Sequence, residues 1–228
     1  MFSEFQHLRL SHILKNFLIL APILGSQGLA SELNYLLFLN GFISFSFLTL
    51  GCYLINDFTD RKIDKKNVLK KNKSPNLDKK KLNLLLVFLA FLFLIHGSYF
   101  SILNNIFLLF YFLNFIFYNF YLKKLKIIDL LILNNFYIIR ILYGAHLFDI
   151  DVTFGFLIFF YFLFLGLSSA KRSIQVSSNK LKKNNLISPY NVNDLSILKK
   201  NTLFSFFITL IVLVLFILNT QNIISLKD

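Results

Sequence analysis

Cysteine is almost missing from this chain: Cys52 is the single one in 228 residues, and there is no tryptophan. One thiol can neither close an intramolecular disulfide nor furnish a cysteine-rich metal site. Acidic residues are scarce too, 11 against 24 Lys and Arg. Strict apolar–polar alternation is absent, which excludes a transmembrane β-barrel. There is no internal repeat of a transporter kind, and no pair of Gly/Pro-broken helices in matching positions.

What is there is apolar. Hydrophobic residues make up 56% of the chain, 30 of them Phe, and the mean hydropathy is +0.65. Few soluble domains are this apolar, and runs of ~18 or more such residues read as transmembrane helices. Seven segments can be drawn, at 14–30, 34–55, 82–100, 104–122, 127–148, 152–170 and 203–220. A helix satisfies its own backbone groups, as the bilayer demands. The fold class expected is therefore all-α: one domain over residues 1–228, a polytopic membrane bundle of about seven helices around a cytosol-facing cavity. FLILAPIL at 17–24, after Arg9 and Lys15, has the outline of a signal peptide. Pro22 inside that apolar core, and the multispanning remainder, favour retention as a first helix.

Charge supports the same topology. With the N-terminus in the cytosol and the chain alternating, 22 of the 24 basic residues fall on the cytosolic side. The far side keeps only Lys227, beside Glu32, Asp149, Asp151 and Asp228, while Arg140 lies within a helix. That is a positive-inside pattern, and it accounts for most of the +13 net charge. Nucleic-acid binding is excluded for want of a soluble basic domain to carry it. The long cytosolic loops, 56–81 and 171–202, are the places with room for chemistry.

The densest acidic cluster, YLINDFTDRKID at Tyr53–Asp64, stands at the end of the second apolar segment. Asp57, Asp60 and Asp64 are spaced i, i+3, i+7 and fall within about 60° on one helical face. Carboxylates crowded this way repel unless a cation sits among them, and oxygen-only ligands favour Mg²⁺ or Mn²⁺. Asn56 adds a neutral carbonyl. A solvated cap neutralised by Arg61, Lys62, Lys65 and Lys66 explains the same residues equally well.

A second group lies on the same membrane face. Tyr118, Lys123 and Asp129 bracket the connection between the fourth and fifth segments, although a lysine there also serves as an ordinary topological anchor. Arg140 stands 11 residues past Asp129, about 16 Å along a helix and near the midplane. A charge at that depth is costly and marks a polar cavity or a partner. Lys171, Arg172 and Gln175 leave the sixth segment, with Lys171 and Gln175 on one face.

These residues resemble a known family. NDFTDRKID matches N-D-x-x-D-x-x-x-D, the first signature of the UbiA-type intramembrane prenyltransferases. Further stretches are similar to one branch, the polyprenyl-phosphate phosphoribosyltransferases. LRLSHILKNFLILAP at Leu8–Pro22 keeps Arg9, Lys15, Asn16 and Pro22 of that branch's opening. YNFYLKKLKIID at Tyr118–Asp129 resembles Y-S-x-x-L-K-x-x-x-x-x-D, and Arg140 with Gly144 matches a following R-x-x-x-G. AKRSIQ at Ala170–Gln175 is similar to K-R-x-x-E, and Tyr190 to a later Tyr element. The chain departs from the pattern at Leu10, where the branch has Pro, and at Gln175, where it has Glu. KKNKSPN is a loose version of its basic stretch, and the family has more membrane helices than the segments drawn here.

The resemblance implies a Mg²⁺-dependent transferase (Mn²⁺ as substitute) in a bacterial inner membrane, with its motif loops cytosolic. Its donor would be phosphoribosyl diphosphate and its acceptor a polyprenyl phosphate. Asn56, Asp57, Asp60 and Asp64 would hold the metal against the diphosphate. Lys123 and Arg140 would act at the lipid phosphate. Lys15, Asn16, Lys70, Lys71, Lys73, Tyr118, Asp129, Lys171, Arg172 and Tyr190 would bind substrate. Two rival readings share the first motif: prenyl transfer from a polyprenyl diphosphate to an aromatic acceptor, and a non-catalytic membrane protein with a cation or lipid-headgroup site. The lone Asp194, where prenyl transferases carry a second D-x-x-x-D, favours the phosphoribosyl branch.

Overall fold

The computed structural model describes residues 10–25, 35–60, 102–182 and 189–225. Every regular element among them is helical. A 3-10 helix, Leu10–Leu20, leads into α1 (Ala21–Gly25); α2 is Tyr35–Thr59 and α3 Ile102–Phe120. A 3-10 turn, Leu122–Lys124, precedes α4 (Lys126–Leu147), followed by α5 (Phe154–Lys182) and α6 (Leu195–Ser225), which a 3-10 turn at Val192–Asp194 introduces.

Within the described residues, six of the seven apolar segments are helical; the remaining one, 82–100, lies outside them. Four stretches are long and apolar enough to cross a membrane: Tyr35–Thr59, Lys126–Leu147, Phe154–Ser178 and Val192–Leu218. Ile13–Gly25 and Asn104–Phe120 are shorter apolar helices. By length and composition this is a helical membrane protein.

Helix ends follow local chemistry. Pro22 lies where the 3-10 helix passes into α1, and having no N–H it leaves one carbonyl of the preceding turn without its helical donor. At the end of α4, Asp149 takes a left-handed conformation, φ 54°. The Ile150 N–H then reaches back to the Ala145 carbonyl (2.8 Å) and the Asp149 N–H to that of His146 (3.4 Å), a Schellman closure. Thr153 opens α5 by accepting the Phe156 N–H through its hydroxyl, at 3.3 Å. Helix α5 runs 12 residues beyond the apolar segment that ends at 170, through Lys182. Residues 171–182, expected as loop, are helical because Lys, Arg, Gln and Ser continue a helix once it leaves the apolar layer.

The chain divides into two compact units, the first comprising residues 1–121 and 139–151, the second 122–138 and 152–228. In the first, Ile19, Phe45, Leu108, Ile141 and Tyr143 form the buried core. Helix α2 turns the stripe Gly41, Phe45, Thr49 and Cys52 inward, at helical spacing. Gly144 lets two backbones meet: a Cβ there would lie 2.0 Å from the Ile19 carbonyl oxygen. In the second unit, Leu130, Val176, Tyr190 and Leu198 pack together. Helices α5 and α6 approach along small and polar residues, with the Asn201 amide donating to the Ser169 hydroxyl at 2.7 Å and Gly166 against the Phe206 ring. Tyr137 stacks on Phe164, centroids 4.3 Å apart.

Candidate functional site

In the first unit, a second face of α2 is polar. Ser46, Thr49, Tyr53, Asp57 and Asp60 recur at i, i+3, i+7, i+11 and i+14, within about 80° of one another. Asp57 and Asp60 are 5% and 7% exposed, so neither is a solvated cap. The Asp60 N–H still donates to the Asn56 carbonyl, 2.9 Å, which keeps Asp60 in helical register. Beside them the Thr59 hydroxyl donates to the Asn56 carbonyl (2.9 Å) and accepts from the amide of Asn119 (3.2 Å), tying the end of α2 to α3.

Higher on the same face, Ser46 and Thr49 receive the side-chain amide of Asn16, at 3.0 and 3.1 Å. The Asn16 carbonyl oxygen accepts from Nε of Arg140 at 2.9 Å. Arg140 is 2% exposed, and its Nη2 donates to the Tyr111 hydroxyl at 2.8 Å. Its guanidinium carbon lies 5.4 Å from the Phe45 ring centroid and 4.9 Å from that of Tyr111, so the cation is also held by ring faces. Thus the 3-10 helix and helices α2 and α3 each deliver a side chain to the guanidinium that α4 carries.

The second unit carries a different arginine. Arg172 makes a two-pronged contact with Asp129, Nε to Oδ2 at 2.7 Å and Nη2 to Oδ1 at 2.6 Å. Its Nη1 donates to the side-chain carbonyl of Gln175, 2.9 Å. Asp129 is fully buried in the first turn of α4, where a helix N-terminus favours negative charge. Nearby, the Tyr190 hydroxyl donates to the Lys126 backbone carbonyl, and the Lys126 ammonium lies 2.8 Å from Asp194. Burial, with the Asp129 carboxylate beside it, pushes the Tyr190 hydroxyl above the usual tyrosine range. Tyr190 is therefore a proton donor to backbone throughout the physiological range.

No protein-family model matches this chain, and no curated protein matches it.

The residues singled out from sequence distribute as follows. Asn16 and Arg140 are brought together, as are Asp129 and Arg172; Asp57 and Asp60 share the polar face of α2. Lys15, Asn56, Tyr118 and Lys123 are half-buried, and Lys171 is exposed. Asp64, Lys70, Lys71 and Lys73 lie outside the described residues. Among the described residues no three His, Cys, Asp or Glu side chains are grouped to hold a metal ion. Two pairings refine the expected roles. Asn16 is fully buried with both ends of its amide engaged, and the Arg172 guanidinium is bonded to Asp129 and Gln175. Sequence reasoning passed over Tyr111, Ser46 and Thr49. The signal for the last two was available: hydroxyls at i, i+3 inside an apolar span, on the face that continues to Asp57.

Proposed function

We propose that this protein is a Mg²⁺-dependent membrane transferase that moves a 5-phosphoribosyl group from phosphoribosyl diphosphate to a polyprenyl phosphate. The observation that carries this reading is the polar face of α2. Asp57 and Asp60 are buried at the end of a predominantly apolar helix, and the same face is linked through Asn16 to the buried Arg140. The ordered likeness of the chain to the phosphoribosyl branch of the UbiA-type enzymes, from residue 8 to 198, supports it.

Buried carboxylates one turn apart supply hard oxygen donors, which suits Mg²⁺. Asp57 and Asp60, with Asn56 and Asp64, would hold the ion; when bound it supplies neutralisation of charge on the leaving diphosphate. Arg140 orients the acceptor phosphate. One anionic phosphate oxygen forms the new bond to the anomeric carbon of the ribose as the bond from that carbon to the diphosphate oxygen breaks. No proton has to be removed, so positioning and electrostatic stabilisation carry the rate. Lys15 contributes positive charge toward the phosphates. The apolar helices admit the isoprenoid sideways from the bilayer into a cavity open to the cytosol.

The test is direct. Purified protein in detergent is incubated with labelled phosphoribosyl diphosphate, polyprenyl phosphate and Mg²⁺, beside Asp57→Ala/Asp60→Ala. Labelled lipid made by the wild type and lost to background in the double variant is the expected result. Lipid made by both proteins, or by neither, overturns it. Product formed only from a prenyl diphosphate and an aromatic acid transfers the assignment to prenyl transfer.

A further inference from the structure

Charge in the second unit is confined to one end. Its described residues hold no Asp, Glu, Lys or Arg over 130–138, 152–170 or 201–225. All of its charge falls at 123–129, 171–182 and 194–200, nine basic residues against two acidic. Packing ties these three stretches together. Asp129 meets Arg172, Lys126 meets Asp194, and Leu130, Val176, Tyr190 and Leu198 close on one another beside them. Both carboxylates are therefore already matched, and the surplus is cationic.

A basic end alone is what membrane topology asks of any span. The side chains next to the lysines say more. On α6, Lys199 and Lys200 are exposed, and one turn further into the apolar stretch stand Leu203 and Phe204, 72% and 59% exposed. Lys124, exposed on the 3-10 turn, is followed at the start of α4 by Ile127, 75% exposed. On α5, Lys171 is exposed one turn from the exposed Leu167, again on the apolar side. Three elements thus repeat one arrangement, an ammonium at the polar margin with an uncovered apolar group about 5 Å along the helix axis. Lys124, Lys199 and Lys200 make no ion pair among the described residues.

We propose that this end of the second unit is a binding surface for anionic phospholipids. The lipid phosphate meets the ammonium groups of Lys124, Lys199 and Lys200, and the acyl chains lie on Ile127, Leu203 and Phe204. Lysine suits the place, because its stem runs along apolar surface while its charge stays at the headgroup level. A free anion would use the charge and leave the apolar groups uncovered. A zwitterionic headgroup brings its own cation, which competes with the lysines. None of the three lysines belongs to the proposed transfer site, so the inference stands apart from the transferase reading.

The experiment measures lipid preference in a bilayer. The full chain is reconstituted in phosphatidylcholine and probed by electron spin resonance with spin-labelled phosphatidylglycerol and, separately, spin-labelled phosphatidylcholine. The motionally restricted fraction of each reports the lipid held at the protein surface. Phosphatidylglycerol is expected to be held about threefold or more in preference at low salt. That preference should fall toward one in about 1 M NaCl, where screening reaches only about 3 Å. Lys124→Gln/Lys199→Gln/Lys200→Gln is expected to bring it below about 1.5-fold at low salt, whereas arginine at the same three positions keeps it. Should the glutamine variant fail to fold, the salt titration of the wild type carries the test. Equal retention of the two lipids by the wild type overturns the proposal, and so does a preference that survives high salt or the glutamine changes. A preference abolished by inorganic phosphate at constant ionic strength assigns the lysines to a free anion, and that result overturns it too.

Discussion

The two units hold an arginine in different ways. Arg172 meets a carboxylate in two prongs, and its remaining described bond goes to the neutral Gln175. Arg140 is met by an amide oxygen, a phenol and two ring faces. The same helix, α4, supplies Asp129 to the one arrangement and Arg140 to the other. Two-pronged ion pairing cancels charge and fixes structure. Neutral oxygens such as those of Asn16 and Tyr111 fix direction. The comparison sets an arginine fixed by an ion pair beside one whose direction is fixed by an amide, a phenol and ring faces.

Gln175 makes sense in that light. With Asp129 already balancing Arg172, a glutamate at 175 would place a second carboxylate on one guanidinium and leave the group with a net negative charge. The glutamine keeps the hydrogen bond without that cost. The departure from K-R-x-x-E is thus compatible with an intact ion pair, and its consequence is electrostatic.

Removing one partner from each arginine tests the contrast. Asp129→Ala leaves the part-buried Arg172 without its carboxylate and is expected to cost about 3–5 kcal/mol, read as a large drop in unfolding temperature in detergent. The paired change Asp129→Leu/Arg172→Met is expected to recover most of that loss. If the single change is silent, the two-pronged pair is not what holds the second unit. A smaller effect is expected from Tyr111→Phe, which removes one acceptor from Arg140 and keeps the ring. It costs about 1–3 kcal/mol by the same measurement, and weakens binding of the polyprenyl phosphate as well. Asp129→Ala should not share that signature once the protein is compared below its unfolding temperature. Smallest of all is Lys126→Met, which deletes the exposed pair with Asp194. Surface pairs contribute under ~1 kcal/mol, so unfolding should barely move at low salt and not at all at high salt.

Legibility differed sharply between levels. The six helices that coincide with apolar segments were readable because a bilayer leaves the backbone no alternative and hydropathy reports that directly. Ends were less readable. The extension of α5 to Lys182 went unseen because polarity marks departure from the apolar layer, not the end of hydrogen bonding. Asp57 and Asp60 could be placed on one face from spacing alone, while their burial could not, since a solvated cap has the same pattern. Arg140 was conspicuous as a charge inside a span; Tyr111, one of 10 tyrosines in an aromatic-rich chain, carried no comparable mark.

By itself, the sequence determined that this is a helical membrane protein, and that YLINDFTDRKID and Arg140 are its chemically unusual points. Those properties depend on composition and on neighbours along the chain. Only the tertiary structure decided the long-range partners of the charged side chains, because groups 43 residues apart, as Asp129 and Arg172, or 124 apart, as Asn16 and Arg140, are brought together by helix packing and not by spacing. It was packing that gave Arg172 a carboxylate, gave Arg140 an amide, and made Gly144 the place where one backbone could come close enough for that amide to arrive.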